Sequence, residues 1–170
     1  MRLSAPVALT AAHDLSEFDC GEPALNDWLK NRALKNESRF SRTYVVCDGN
    51  RVAGYFWISA GAVERAAAPA KVRRNAPDTI PVSVIGRLAV SRAYSDRGLG
   101  ADLLSDALRR IAVASQSIGI GAVLVHAKTE RAKRFYLACA EFIEYPSDSR
   151  TLFLPIETVI AAFSGGKSGG

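Results

Sequence analysis

Metal-ligand spacing is missing from this 170-residue chain. Cys20, Cys47 and Cys139 lie far apart, no C-x-x-C occurs, and neither His13 nor His126 stands at ligand distance from a cysteine. The sequence therefore predicts no metal. It also predicts no disulfide framework, the cysteines being small buried hydrophobes of a reducing compartment. Long apolar runs are absent too: none approaches the roughly 18 residues that span a bilayer. Arg2 is not followed by a long apolar h-region, which predicts no signal peptide and a cytoplasmic protein. There is no internal repeat. The tail from Ser164 to Gly170 carries Gly166-Lys167-Ser168. A phosphate loop is excluded there, because its first glycine position is Ala161 and no helix can follow.

What is present describes an ordinary globular chain, 48% hydrophobic and 23% charged. Its length suits one domain. We place that domain at residues 1–163 and read 164–170 as a flexible Gly/Ser linker or expression scar. The net charge of +5 favours an anionic partner, which CoA and RNA satisfy alike.

Hydrophobic spacing gives the order of elements. Pro6–Ala11 is a short strand. From Pro23 a helix sets Leu25, Trp28, Leu29, Ala33 and Leu34 on one face and Lys30, Arg32, Lys35 and Arg39 on the other. Thr43–Cys47 and Val52–Ser59 are strands joined by a turn at Asp48-Gly49-Asn50. Val63–Pro81 is a partly irregular excursion with one short helix. A strand at Pro81–Val90, a loop at Ala93–Gly100 and an amphipathic helix at Ala101–Ser115 follow. Asp102, Asp106, Arg109 and Arg110 face outward on that helix. A strand at Gly119–His126, a helix at Thr129–Ala138 and a strand at Thr151–Pro155 close the pattern. Residues 82–126 form a βαβ unit, so the fold class is α/β (α+β) with a mixed central sheet flanked by helices.

The sharpest motif is Arg97-Gly98-Leu99-Gly100-Ala101, between a strand and a helix. A helix start leaves backbone N–H groups unpaired beside a positive dipole end, and glycines let a phosphate come close. A dinucleotide is disfavoured: the third glycine of G-x-G-x-x-G would fall on Leu103, and no acidic residue ends the next strand.

Ile85-Gly86-Arg87-Leu88-Ala89-Val90 together with this loop resembles motif A of the GNAT acetyltransferases, and Phe135-Tyr136 followed by Glu141-Phe142 resembles their motif B. Phe18-Asp19-Cys20-Gly21, Leu25-Asn26-Asp27-Trp28-Leu29, Arg42-Thr43-Tyr44-Val45, Val52-Ala53-Gly54-Tyr55, Asp106-Ala107-Leu108, Ala127-Lys128 and Leu152-Phe153-Leu154-Pro155 extend the resemblance to the TacT-like toxins of toxin–antitoxin modules. In two places the chain departs from the pattern: Ser95 stands where Gln or Arg is usual, and Ala140 where Gly is usual.

The resemblance implies an acetyl-CoA-dependent N-acetyltransferase that modifies the α-amine of aminoacyl-tRNA and blocks translation. It implies a CoA site at Leu88, Ala89, Val90, Ser95, Arg97, Gly98, Leu99, Gly100 and Ala101, and Tyr136 as the general acid. His13 and His126 are both possible bases; an aminoacyl ester amine, below the ~8 of an α-amino group, could also react without one. Candidate tRNA contacts are Lys30, Arg32, Lys35, Arg39, Arg42, Lys71, Arg73, Arg74 and Arg87. Five of these cations, against two acids, lie between Asp27 and Arg42. Implied partners are a ribbon-helix-helix antitoxin and a second copy of the chain in a homodimer. Competing readings are an acetyltransferase for a small-molecule or protein amine and a non-enzymatic CoA-binding regulator.

Overall fold

The computed structural model describes residues 3–37, 39–145 and 147–168. They form an α/β domain on one mixed seven-stranded sheet. The strands are β1 (Val7–Ala8), β2 (Arg42–Asp48), β3 (Arg51–Glu64), β4 (Thr79–Val90), β5 (Ala122–His126), β6 (Ile143–Tyr145) and β7 (Asp148–Pro155), in the order β1-β2-β3-β4-β5-β7-β6. The helices are α1 (Pro23–Asn31), α2 (Ala33–Glu37), α3 (Ala70–Arg73), α4 (Leu99–Ala114), α5 (Glu130–Cys139) and α6 (Ile156–Ser168). Neighbouring β4 and β5 are joined through α4, the βαβ unit expected. No described helix is long and apolar enough to cross a membrane.

Two compact units divide the chain, one of Met1–Ser59 with Ile85–Ala107 and one of Ala60–Val84 with Leu108–Gly170. In the first, Phe18, Trp28, Leu29, Tyr55 and Ala89 belong to one buried cluster. Pro23 opens α1 at a position where a missing N–H costs nothing. The helical run breaks at Arg32, and the apolar face narrows with it: Ala33 is buried, but Leu34, expected on that face, is 42% exposed. Gly49, at φ +64°, turns β2 into β3. In the second unit Val72, Ile80, Val82, Leu124 and Phe153 share a cluster.

Several expectations are corrected. The excursion is shorter than read, because β3 runs on to Glu64 and β4 begins at Thr79. Asp106 is buried at 7% exposure rather than outward. Cys139 is exposed, at the end of α5, where the cysteine pattern predicts burial. The strand β6 was not anticipated; three residues, only partly buried, carry no readable period. Nor was α6. Ile156 and Val159 bury one side of it, and helical structure continues through Ser168, where a flexible tail is expected. Each added residue closes a backbone hydrogen bond once a helix is nucleated, which offsets part of the glycine cost of about 1 kcal/mol. Gly169 and Gly170 lie outside the described residues.

Candidate active site

The loop after β4 is held from several sides within the first unit. Ser91 N–H donates to the Ala53 carbonyl at 2.8 Å, and Arg92 N–H to the Asp19 carbonyl at 2.8 Å. Asp19 organises the segment before α1. Its Oδ1 accepts from Gly21 N at 2.9 Å and Asn26 Nδ2 at 3.0 Å, and Asn26 Oδ1 accepts from Cys20 N. These bonds hold the Asp19 carboxyl below its ordinary range. Gly21 has φ +90°, and an added Cβ would lie 2.9 Å from the Arg92 guanidinium. The Phe18–Gly21 motif and Asn26 thus fasten the loop to the foot of α1.

Beyond this anchor, residues 92–94 form a 3-10 turn in which Tyr94 is buried and donates its hydroxyl to Asp48 Oδ2 at 2.8 Å. Ser95 Oγ donates to the Arg92 carbonyl at 2.9 Å, so this hydroxyl closes the turn. Asp96 and Gly98 follow with φ of 62° and 75°, and α4 begins at Leu99, two residues earlier than the apolar spacing indicates. Gly98 is the left-handed glycine; Gly100 already lies within α4. An added Cβ on Gly98 would meet nothing within 4 Å, so its outer face is open. The amide of Asp102 is taken by the Gly98 carbonyl at 3.2 Å. In a regular helix the amides before it, on Leu99, Gly100 and Ala101, have no partner in the preceding turn. Exposed main chain, a positive helix end and a flanking Arg97 suit a pyrophosphate. Leu99 and Leu103 anchor the helix by packing against Gly54, whose missing Cβ would come within 2.9 Å of Leu103.

Behind the loop, Trp28 of α1 stacks on Tyr55 at 5.9 Å and tilts against Trp57 at 5.7 Å. The Arg87 guanidinium lies 5.9 Å from the Trp28 ring. Gly86 makes this arrangement possible, since a Cβ there would fall 1.8 Å from the Trp57 indole. Arg87 Nη1 and Trp57 Nε1 are both buried without a hydrogen-bond partner, a costly state for donors aimed at nothing. Trp57 escaped the sequence reading; the strand-interior Gly86 was the available signal.

Of the other cations, Lys30, Arg32, Lys35 and Arg39 are exposed on α1, α2 and the turns after them, with Arg39 over the Phe40 ring at 5.1 Å. Arg42 is exposed too, but its guanidinium donates to the Glu37 and Ser41 carbonyls and closes the α2–β2 turn. Lys71, Arg73 and Arg74 are exposed on and after α3 in the second unit.

Tyr136 belongs to the second unit. Thr129 caps α5 by accepting from Ala132 N at 3.0 Å. Tyr136 then falls on the buried side, at 7% exposure, with Phe135 and Phe142 edge-on at 5.3 and 5.7 Å. Burial, aided by Cys139, pushes its phenol up to about 12. Ala140 ends the helix in extended backbone, φ −156° and ψ 170°, which needs no glycine. His13 sits in an exposed turn, its Nδ1 accepting from Thr10 N at 3.0 Å. His126 ends β5, hydrogen-bonded to Thr151 at 3.0 Å. Among the described residues no cluster of three or more His, Cys, Asp or Glu side chains could hold a metal.

Residues 9–142 match the model of the acetyltransferase (GNAT) family. A tRNA-acetylating toxin of Mycobacterium tuberculosis (strain ATCC 25618 / H37Rv) is 44% identical over 152 residues, 89% of this chain and 91% of that protein. The solved structure of AtaT complexed with acetyl-methionyl-tRNAfMet superposes with a TM-score of 0.87 at 32% identity, over 95% of this chain and 99% of that one. A mutant AtaT toxin bound to the C-terminus of the antitoxin AtaR and acetyl-CoA gives 0.82 at 31% identity, over 95% and 98%.

Proposed function

The chain belongs to the acetyltransferase (GNAT) family, and from that premise we propose that it is a toxin that moves the acetyl group of acetyl-CoA onto the α-amine of an aminoacyl-tRNA, which blocks translation. The observation that carries this reading is the 44% identity to a tRNA-acetylating toxin over 89% of the chain. The open turn at Gly98 and the start of α4 fit the pyrophosphate of that co-substrate, with Arg97 beside it. Leu88, Ala89 and Val90 offer main-chain groups to the pantetheine arm and the acyl carbonyl, where fixed donors stabilise negative charge as it develops. Ser95 stands beside this turn, its hydroxyl donating to the Arg92 carbonyl and its oxygen still able to accept from the co-substrate.

Tyr136 supplies the proton that the departing thiolate needs. Thiols titrate near ~8.5, so a phenol held up near 12 stays protonated at every working pH. It gives up its proton only as charge builds on sulfur, late in C–S cleavage. Lys30, Arg32, Lys35 and Arg39, with Arg73 and Arg74, meet tRNA phosphates as solvated cations. Arg87 and Trp57 present buried donors that a phosphate or ester oxygen near the tRNA 3′ end would satisfy. Arg42 contributes charge from a fixed position. A ribbon-helix-helix antitoxin covers the protein when it is silent, the active form is a homodimer, and the compartment is the cytoplasm.

The test is incubation of the full chain with total charged tRNA and labelled acetyl-CoA, followed by release and identification of the labelled aminoacyl group. Label on the α-amine of one or a few amino acids is expected. Label on free amines or protein lysines, with none on tRNA, would overturn the reading.

A further inference from the structure

Among the described residues Phe40 is the most exposed large apolar side chain, at 64%. It stands in the turn between α2 and β2, and that turn is fastened. The Asn36 carbonyl accepts from the amides of Arg39, Phe40 and Ser41 at 3.2, 2.9 and 3.2 Å. Asn36 Nδ2 donates in turn to the Arg32 carbonyl at 2.8 Å, and Glu37 Oε1 accepts from Thr43 N at 2.8 Å. The Arg42 guanidinium closes the turn from its other side. A braced turn therefore holds an aromatic ring out in solvent.

The surroundings are cationic. Arg32, Lys35, Arg39 and Arg42 are exposed, and Glu37, the one acid between Arg32 and Arg42, is engaged with Thr43. The Arg39 guanidinium lies 5.1 Å from the Phe40 ring centroid and covers one face. The other face is left to solvent. Next along the chain, Ser41 and Thr43 are buried, and their hydroxyls have no hydrogen-bond partner. Thr43 lies opposite Trp57 across β2 and β3. Three residues of chain span at most about 11 Å, so Phe40 stands close to the strand position that carries the unpartnered indole N–H of Trp57. All of these residues belong to the first unit.

Resting on the tRNA acceptor proposed above, we propose that Phe40 is a stacking platform for an unpaired base of the tRNA 3′ end. One face of the ring takes the base, and Arg39 backs the other. Every base has a π-face, so the contact is indifferent to sequence. A duplex keeps its base faces inside the helical stack, so only unpaired nucleotides qualify. The cations around the ring take the phosphates on either side of that base. One open aromatic face among four exposed cations matches a strand of phosphates and bases, and this chemistry decides for RNA.

The test is fluorescence anisotropy of the full chain with a labelled acceptor-stem hairpin that carries or lacks its unpaired 3′ nucleotides. Phe40→Ala is expected to weaken binding of the overhang hairpin by roughly 5- to 150-fold, the usual worth of one stacked base. The slope of log K against log salt should stay as it is, because no cation is lost. Phe40→Leu keeps apolar bulk without a π-face and should bind as poorly as Phe40→Ala. Phe40→Trp should bind as well as wild type or better. On the blunt hairpin all four proteins should bind alike, and their melting temperatures should agree, since the ring lies mostly in solvent. Equal affinities of wild type, Phe40→Ala and Phe40→Leu for the overhang hairpin would overturn the assignment. A deficit that persists on the blunt hairpin, or a wild type that binds neither hairpin, would do the same. So would a changed oligomeric state in Phe40→Ala with RNA affinity intact, which marks a protein contact. These readouts need no acetyl transfer. A wild type that binds the overhang hairpin through Phe40 but acetylates no charged tRNA would remove the acetylation reading and leave the platform standing.

Discussion

Removing the hydroxyl of Tyr136 takes one oxygen from a ring whose packing rests on Phe135 and Phe142. Tyr136→Phe should therefore fold as wild type and keep its affinity for acetyl-CoA. Acetyl transfer should drop 10²–10⁴-fold, the range for a lost general acid. Rapid-quench turnover on charged tRNA checks this, and a rate near wild type would remove Tyr136 from the chemistry. The glycines of the loop separate by the same reasoning. Gly98 holds φ +75° with open space above its Cα, so Gly98→Ala meets no atom but is forced into left-handed backbone, at about 1–2 kcal/mol. The turn is expected to relax away from that geometry and weaken acetyl-CoA binding by roughly tenfold. Titration calorimetry reads it directly, and unchanged affinity would move the pyrophosphate off this loop.

At the level of elements, the basic surface of α1 and α2 is the test case. Lys35 and Arg39 are exposed, and neither belongs to the loop before α4. Replacing both by Ala should weaken charged-tRNA binding alike for every tRNA and reduce the slope of log K against log salt by about one unit per lost contact. Acetyl-CoA affinity should stay as it was. An unchanged salt slope would make this face solvated surface. The elements differ in how far the sequence announced them. α1, α4 and α5 carry apolar residues at helical spacing, and the loop before α4 announces itself through Gly98 and Gly100, so these are legible. The start of α4 is not, because Leu99 is buried at its foot while the motif glycines read as loop. β6 is too short to show a period, and α6 hides Ile156 and Val159 behind the Pro155 that seemed to close the fold. The pairing of Thr43 with Trp57 is invisible in sequence: the register at the turn, Asp48 with Arg51, would set Phe56 there, and a register shift between Val46 and Cys47 moves it by one residue.

Across the whole molecule, the phenols of Tyr55 and Tyr136 and the three thiols favour the protonated form and so set an alkaline limit on stability. Burial raises the phenol of Tyr136 to about 12. It also raises the Tyr55 phenol, whose hydroxyl donates to the Leu25 carbonyl at 2.9 Å and is neutral when it does so. Thiols at Cys20, Cys47 and Cys139 move upward for the same reason, desolvation. In the unfolded chain these groups lose protons near ~8.5 and ~10; in the folded chain they keep them longer. Above pH ~8.5 the unfolded state therefore binds fewer protons than the native state, and unfolding free energy falls as pH rises. The stability is fully present below the unfolded values and is lost towards the folded ones. The carboxyl groups of Asp14, Asp19 and Asp148 act in the opposite direction at the acid end. They are held low by hydrogen bonds, so their contribution is present above ~4 and lost as pH falls. Melting followed by circular dichroism should be highest between these limits and decline steadily from pH 9 to pH 11. Tyr136 alone should account for on the order of 2–3 kcal/mol by full ionisation of the unfolded state. Tyr55→Phe and Tyr136→Phe should each flatten the alkaline slope, since phenylalanine has no proton to lose. A melting temperature constant to pH 11, or a slope indifferent to both substitutions, would show that these rings reach water before the fold gives way.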